Sequence, residues 1–157
     1  MIKKLIVALA LILIIPIGVK AHDDITADYK VREIAGYMEN YPEYQQIEMT
    51  YNYLKETVEY DYTFRKNAYT TYGAVIENSA VCQGISFAFY EILTWLELDV
   101  NIMIGVVDGE MHAWNFVILK SSGRGYFVDI TFDLVSGRKD YFMVSELRGR
   151  FVTFFLY

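Results

Sequence analysis

The chain has 157 residues, of which 14 are Lys or Arg and 20 are Asp or Glu, and 54% are hydrophobic; its formal charge is −6. That length supports one domain with a real core and is too short for two. With an acidic balance and no basic block, nucleic acid and anionic lipid are disfavoured as partners, because phosphate binding needs clustered Lys and Arg.

The chain opens with a basic head (Lys3, Lys4), an apolar run from Leu5 to Val19, and the small-residue stretch Val19-Lys20-Ala21. This pattern predicts an export signal, residues 1–21, cleaved after Ala21 to leave residues 22–157 as a single domain. The run is shorter than the roughly 20 residues a bilayer-spanning helix needs. It also carries Pro16 and Gly18, so a retained N-terminal anchor is the second choice. No cysteine ends the run, so a lipid-modified terminus has no acceptor. Losing residues 1–21 removes Lys3, Lys4 and Lys20 and no acid, which leaves 11 basic against 20 acidic residues and a net charge of −9. The predicted location is secreted or extracytoplasmic, with only transient membrane contact through the signal segment.

Two helices are predicted next, Ile25–Glu39 and Glu43–Glu59, parted by Asn40-Tyr41-Pro42, with proline where a second helix can begin. Tyrosines recur through this region at positions 29, 37, 41, 44, 51, 53, 60 and 62. They are read as packing residues with wet hydroxyls, in preference to a carbohydrate-binding strip. Residues 60–80 lack a clean period and are read as a loop with one helical turn, overhanging Cys82. From Cys82 the apolar positions Ile85, Phe89, Ile92, Leu93 and Leu96 form one stripe of a helix ending near Leu98. Five strand-like runs follow: Val100–Val107, Met111–Leu119, Gly125–Ile130, Tyr141–Val144 and Phe151–Leu156, with turns at Asp108-Gly109, Ser121–Gly123 and Ser136-Gly137. Helices first and hairpin-linked strands afterwards predict an α+β fold, the helices packed on one antiparallel sheet.

Cys82 is the only cysteine, so an internal disulfide is impossible, and in an oxidising place a lone thiol is reactive or intermolecularly bonded. At the first turn of a helix it would face the positive end of the helix dipole, which favours thiolate. The competing reading is a small buried hydrophobe; Gly84 and the preceding loop favour exposure. A thiol nucleophile needs an imidazole. Of the two histidines, His22 would stand at the mature terminus, which leaves His112 in Met111-His112-Ala113-Trp114-Asn115-Phe116. Pairing the two strands around a turn at 120–123 sets residues whose numbers sum to about 241 opposite one another, so His112 faces Asp129. Cross-strand neighbours lie about 4.5–5.5 Å apart at Cβ, a spacing that suits an imidazole–carboxylate bond. Asn115 points to the opposite face, Trp114 is likewise read as turned to the other face and packing in the core, and Asp133 suits a turn or capping role. One Cys, one usable His and scattered carboxylates form no metal-ligand pattern, and no cofactor is indicated.

Three segments, Ala80-Val81-Cys82-Gln83-Gly84, Met111-His112-Ala113-Trp114-Asn115 and Tyr126-Phe127-Val128-Asp129-Ile130-Thr131-Phe132-Asp133, together resemble the transglutaminase-like (transglutaminase core) superfamily of papain-fold thiol enzymes. The resemblance runs from about residue 60 to 144. It departs at Ile85, where the family has an aromatic, at Phe132, which replaces a tryptophan, and at Ser79, near a usual glycine. It implies Cys82 as nucleophile, His112 as base and Asp129 as orienting acid, in the family's chain order. It also implies a papain-like fold and acyl transfer through a thioester. The Cys82 backbone N–H would hold the oxyanion, with a second donor among Gln83, Tyr62, Tyr69 and Tyr72. The expected function is a secreted peptidase or amidase acting on a protein or peptide substrate, such as cell-wall or extracellular peptide. A crosslinking protein-glutamine γ-glutamyltransferase and a catalytically silent binding module of the same fold are the alternatives.

Overall fold

The computed structural model describes residues 20–147 and 151–156, with side chains described from 23 to 147. The export-signal run therefore lies outside the described residues, and His22 is placed by its backbone alone. Among the described residues no helix is long and apolar enough to cross a membrane.

Three helices enclose a central one. Helix α1 (Lys20–Gly36) buries Ala27, Val31, Ile34 and Ala35, a stripe that Met38 extends beyond its end. It begins and ends earlier than the predicted Ile25–Glu39. Helix α2 (Glu43–Thr57) starts after Pro42 and buries Ile47, Tyr51 and Leu54. Its Gln46 amide donates to the carbonyls of Met38 and Glu39, closing the chain reversal between the two helices. The aliphatic stripe of α1 takes the core, so its tyrosines fall outside. Tyr29 and Tyr37 are well exposed, as are Tyr41, Tyr44 and Tyr62, and only Tyr51 is fully buried. The expectation that this tyrosine series packs inward therefore fails for most of its members.

The segment read as a loop is more ordered than expected. A two-residue strand β1 (Glu59–Tyr60) pairs in parallel with β2 (Ser79–Ala80). Between them lie a 3₁₀ turn (Lys66–Tyr69) and the short helix α3 (Thr71–Val75), capped by the Thr70 hydroxyl. Helix α4 (Cys82–Trp95) then runs through the core, with Ile85, Phe89, Ile92 and Leu93 fully buried. It stops short of Leu98 because Glu97 takes a left-handed φ of 58°, and the Leu98 N–H returns to the Leu93 carbonyl at 2.9 Å.

Strands β3 (Asp99–Val107) and β4 (Glu110–Ile118) form a hairpin closed by Asp108 and Gly109, both at positive φ, as a tight two-residue turn requires. Strand β5 (Gly125–Val128) pairs with β4, and β6 (Phe151–Leu156) pairs with the far edge of β3, giving the antiparallel order β5-β4-β3-β6. The prediction of β6 matches its observed span. Two others do not. The chain turns into helix α5 (Ile130–Ser136) at the point where a longer β5 was expected, and Tyr141–Val144 makes only an isolated bridge, Val144 to Phe127. Helix α4 packs against β3, β4 and the other helices, so this is an α+β fold with a helical layer on an antiparallel sheet.

Candidate active site

Cys82 is the first residue of α4, half-buried, directly after the extended Val81. By the geometry of a first helical turn, its backbone N–H has no partner within the helix. What fixes this tip is the preceding turn: the Val81 N–H donates to the Ala68 carbonyl at 2.9 Å. Gly84 makes the approach possible, since a Cβ there would stand 2.4 Å from the Ala68 oxygen and 2.9 Å from that of Thr70. The same turn is braced by Asp61, buried just after β1. Its carboxylate accepts from the Thr63 N–H and hydroxyl and pairs with Arg65 Nε at 2.8 Å. Burial works against the charge of Asp61, but these donors prevail and hold it down at about 2.

His112 lies on β4 in the stretch that β5 does not cover, because the β4–β5 ladder runs only from Asn115–Val128 to Ile118–Gly125. These pairs sum to 243, so the register differs from the expected 241 by two residues. The parity is preserved, and with it the side of the sheet. Asp129 comes just past the ladder, as the N-cap of α5. Its Oδ2 lies 2.7 Å from His112 Nε2, and its Oδ1 accepts from the Phe132 N–H at 3.0 Å. The pair is buried, His112 at 9% and Asp129 at 1% exposure. With Nε2 taken by Asp129, Nδ1 is the ring nitrogen left for the Cys82 thiol, which lies close enough to the imidazole to help raise it.

The electrostatics bind the three groups together. Burial alone would lower the His112 pKa; the Asp129 charge and hydrogen bond and the Cys82 thiol more than offset it, and the imidazole is raised to about 10. Two tyrosines border the thiol. Burial raises both Tyr60 and Tyr69, and the proximity of Cys82 raises them further. Of the other groups considered as oxyanion donors, Tyr62 is largely exposed and Tyr72 packs against the hydrophobic core. Tyr60 was missed because its strand is two residues long and leaves no periodic trace; its register partner Ala80, two residues before Cys82, is what brings it close.

Aromatic groups enclose the imidazole. Phe132 stacks on it with centroids 4.5 Å apart and planes 13° from parallel, and Trp114 lies at 5.8 Å. Trp114 is thus on the same face as His112, contrary to the expectation, as two residues apart in a strand must be. Its packing role stands, in a small cluster with Met103 and Val107. Asn115 does point to the opposite face, where its amide donates to the Ser86 carbonyl of α4 at 3.1 Å. Asp133 holds a turn, accepting from the Asp140 and Tyr141 N–H groups. No cluster of His, Cys, Asp or Glu among the described residues could hold a metal ion.

The architecture is the transglutaminase-like, papain-type α+β fold, with a thiol at a central helix tip and an imidazole and carboxylate from the sheet side. Solved structures share it, two of which follow. One is a TGase crystal structure (TM-score 0.55, 18% identity), which matches 75% of this chain and 33% of its own. The other is a proposed cysteine protease of Cytophaga hutchinsonii (TM-score 0.56, 15% identity), which matches 66% of this chain and 37% of its own. The chain thus spans about a third of the length of each. No protein-family profile matches it, and no curated protein matches it significantly.

Proposed function

We infer that this protein is an extracytoplasmic thiol enzyme that transfers acyl groups from amide bonds of a protein or peptide, and that it is a peptidase or amidase. The observation that carries the reading is the buried 2.7 Å pair of His112 Nε2 and Asp129 Oδ2, with Cys82 in reach of the same imidazole. The location rests on the basic head and apolar run of residues 1–21. In this reading His112 takes the thiol proton at Nδ1 while Asp129 holds the ring's orientation and charge. The thiolate attacks the amide carbon, and the oxyanion is met by the Cys82 backbone N–H. The imidazolium then protonates the departing amine, leaving a thioester, and His112 next deprotonates the water that hydrolyses it.

A crosslinking reaction, in which a lysine amine replaces that water, is the second reading, favoured by the TGase among the structures of the same fold. Incubating the purified protein with glutamine-containing peptides, with and without a primary amine, separates the two. Hydrolysis predicts a deamidated or cleaved product and no incorporated amine. Amine incorporation at the glutamine would replace the first reading by the second, and absence of any turnover across a broad peptide and amide panel would count against both.

A further inference from the structure

We propose that Tyr51 and Asp133 form a positioning pair that orients Asp129 from behind and thereby tunes the Cys82–His112 couple; the proposal rests on the thiol-enzyme reading above. Asp133 lies one turn after Asp129 on α5 and is completely buried. Its carboxylate accepts four contacts: the Tyr51 hydroxyl at 2.8 Å, the Asp140 N–H at 2.7 Å, and the Tyr141 N–H at 3.1 Å from each oxygen. Tyr51 is itself fully buried on α2, with its ring against Phe142 at 4.6 Å.

The segment that Asp133 holds is the one that fixes Asp129. The Tyr141 carbonyl accepts the Asp129 N–H at 2.9 Å, and Val144 exchanges two hydrogen bonds with Phe127 at 2.8 and 3.0 Å. Residues 141–144 therefore act as a strap along the backbone of 127–129, replacing the strand that β5 lacks on that side. A continuous chain results: Tyr51 hydroxyl, Asp133 carboxylate, Tyr141 backbone, Asp129, His112. A buried carboxylate is costly unless its lone pairs are satisfied, and apolar side chains would fill the same volume at less cost. What an apolar filling would not do is pin the strap from both carboxylate oxygens.

Loosening this pair should weaken the hold of Asp129 on the imidazolium, and with it the activation of the Cys82 thiol. The test is the rate of Cys82 alkylation by iodoacetamide from pH 4 to 9, on wild type, Asp133→Asn and Tyr51→Phe, with thermal unfolding as a fold check. The expected result is folded variants whose acid limb is shifted upward by about half to one pH unit, a threefold to tenfold change in the ionisation equilibrium. In an Asp129→Asn background, Asp133→Asn should add no further shift, since both act through one group. If Asp133→Asn fails to fold, Tyr51→Phe carries the test, because it removes one O–H and keeps the ring on Phe142. Folded variants with the wild-type profile would overturn the proposal while leaving the enzyme reading intact. Wild type that labels at pH 6 no faster than a free thiol would overturn both.

Discussion

His112 and Asp129 meet at 2.7 Å although neither is the other's partner in the β4–β5 ladder. The ladder ends at Val128, and Asp129 leaves extended geometry to cap α5, which frees its carboxylate for two tasks at once. One oxygen caps the helix through the Phe132 N–H, and the other takes the imidazole.

Asp129→Asn should separate those tasks. Asparagine caps a helix about as well as aspartate, so the cap itself should survive, and the thermal stability lost should be the share that comes from the Asp129–His112 charge pair, largest near pH 6 and small toward pH 10. The imidazole loses its charge partner and its fixed tautomer, so turnover of any amide substrate should fall by roughly 10³–10⁴-fold. Measuring kcat and thermal unfolding on the same preparation checks both halves, and unchanged turnover would remove Asp129 from the mechanism.

The imidazole also makes stability depend on pH. Because His112 is raised from 6.5 to about 10 in the folded protein, its contribution is complete below the unfolded value and lost as pH rises through the folded one. The midpoint difference between wild type and His112→Gln should therefore be largest near pH 6 and shrink steadily toward pH 10. A difference that grows with pH would contradict the raised imidazole.

Phe132 lies 4.5 Å from the imidazole and nearly parallel to it, a stack that favours the charged ring. A ring–cation contact is worth about 0.5–2 kcal/mol, so Phe132→Leu should lower kcat roughly twofold to thirtyfold. Phe132→Trp, which keeps an aromatic face, should retain most of it. Equal loss in both variants would assign Phe132 to packing alone.

Gly84 is held by space, with no positive φ involved. A Cβ would meet two backbone oxygens, at 2.4 and 2.9 Å, neither able to swing aside. Gly84→Ala should cost about 1–3 kcal/mol, as overpacking does, and displace the turn that bears on Cys82. Denaturant unfolding and alkylation rate should fall together; a variant as stable as wild type would show that the turn yields freely.

Much of this was legible in the residues themselves. The stripe from Ile85 to Leu93 marks α4, Asp108-Gly109 marks the β3–β4 turn, and the scarcity of histidine points to His112. Parity in the hairpin correctly put Asp129 on the side of His112, since a strand's side-chain period is two. The register itself was not legible, because the Leu119–Arg124 turn holds more residues than a tight hairpin: the Gly123 N–H donates to the Leu119 carbonyl at 2.7 Å and the Leu119 N–H donates to the Arg124 carbonyl at 2.9 Å. Helix α5 was hidden because Ile130 reads as the end of a strand; the Asp129 carboxylate caps the helix through the Phe132 N–H, and Gly137 ends it in the left-handed region. Tertiary contacts decide the rest: Tyr60 gains its place from a two-residue pairing, and Tyr51 from a partner 82 positions away.

The central claim is that His112 activates the Cys82 thiol as the nucleophile. A free thiol is only about 0.3% ionised at pH 6, so the rate of iodoacetamide labelling at that pH discriminates sharply. Wild type should label at least about tenfold faster than a model thiol, with the advantage lost in His112→Ala. Equal rates for wild type, His112→Ala and the model thiol would contradict the account.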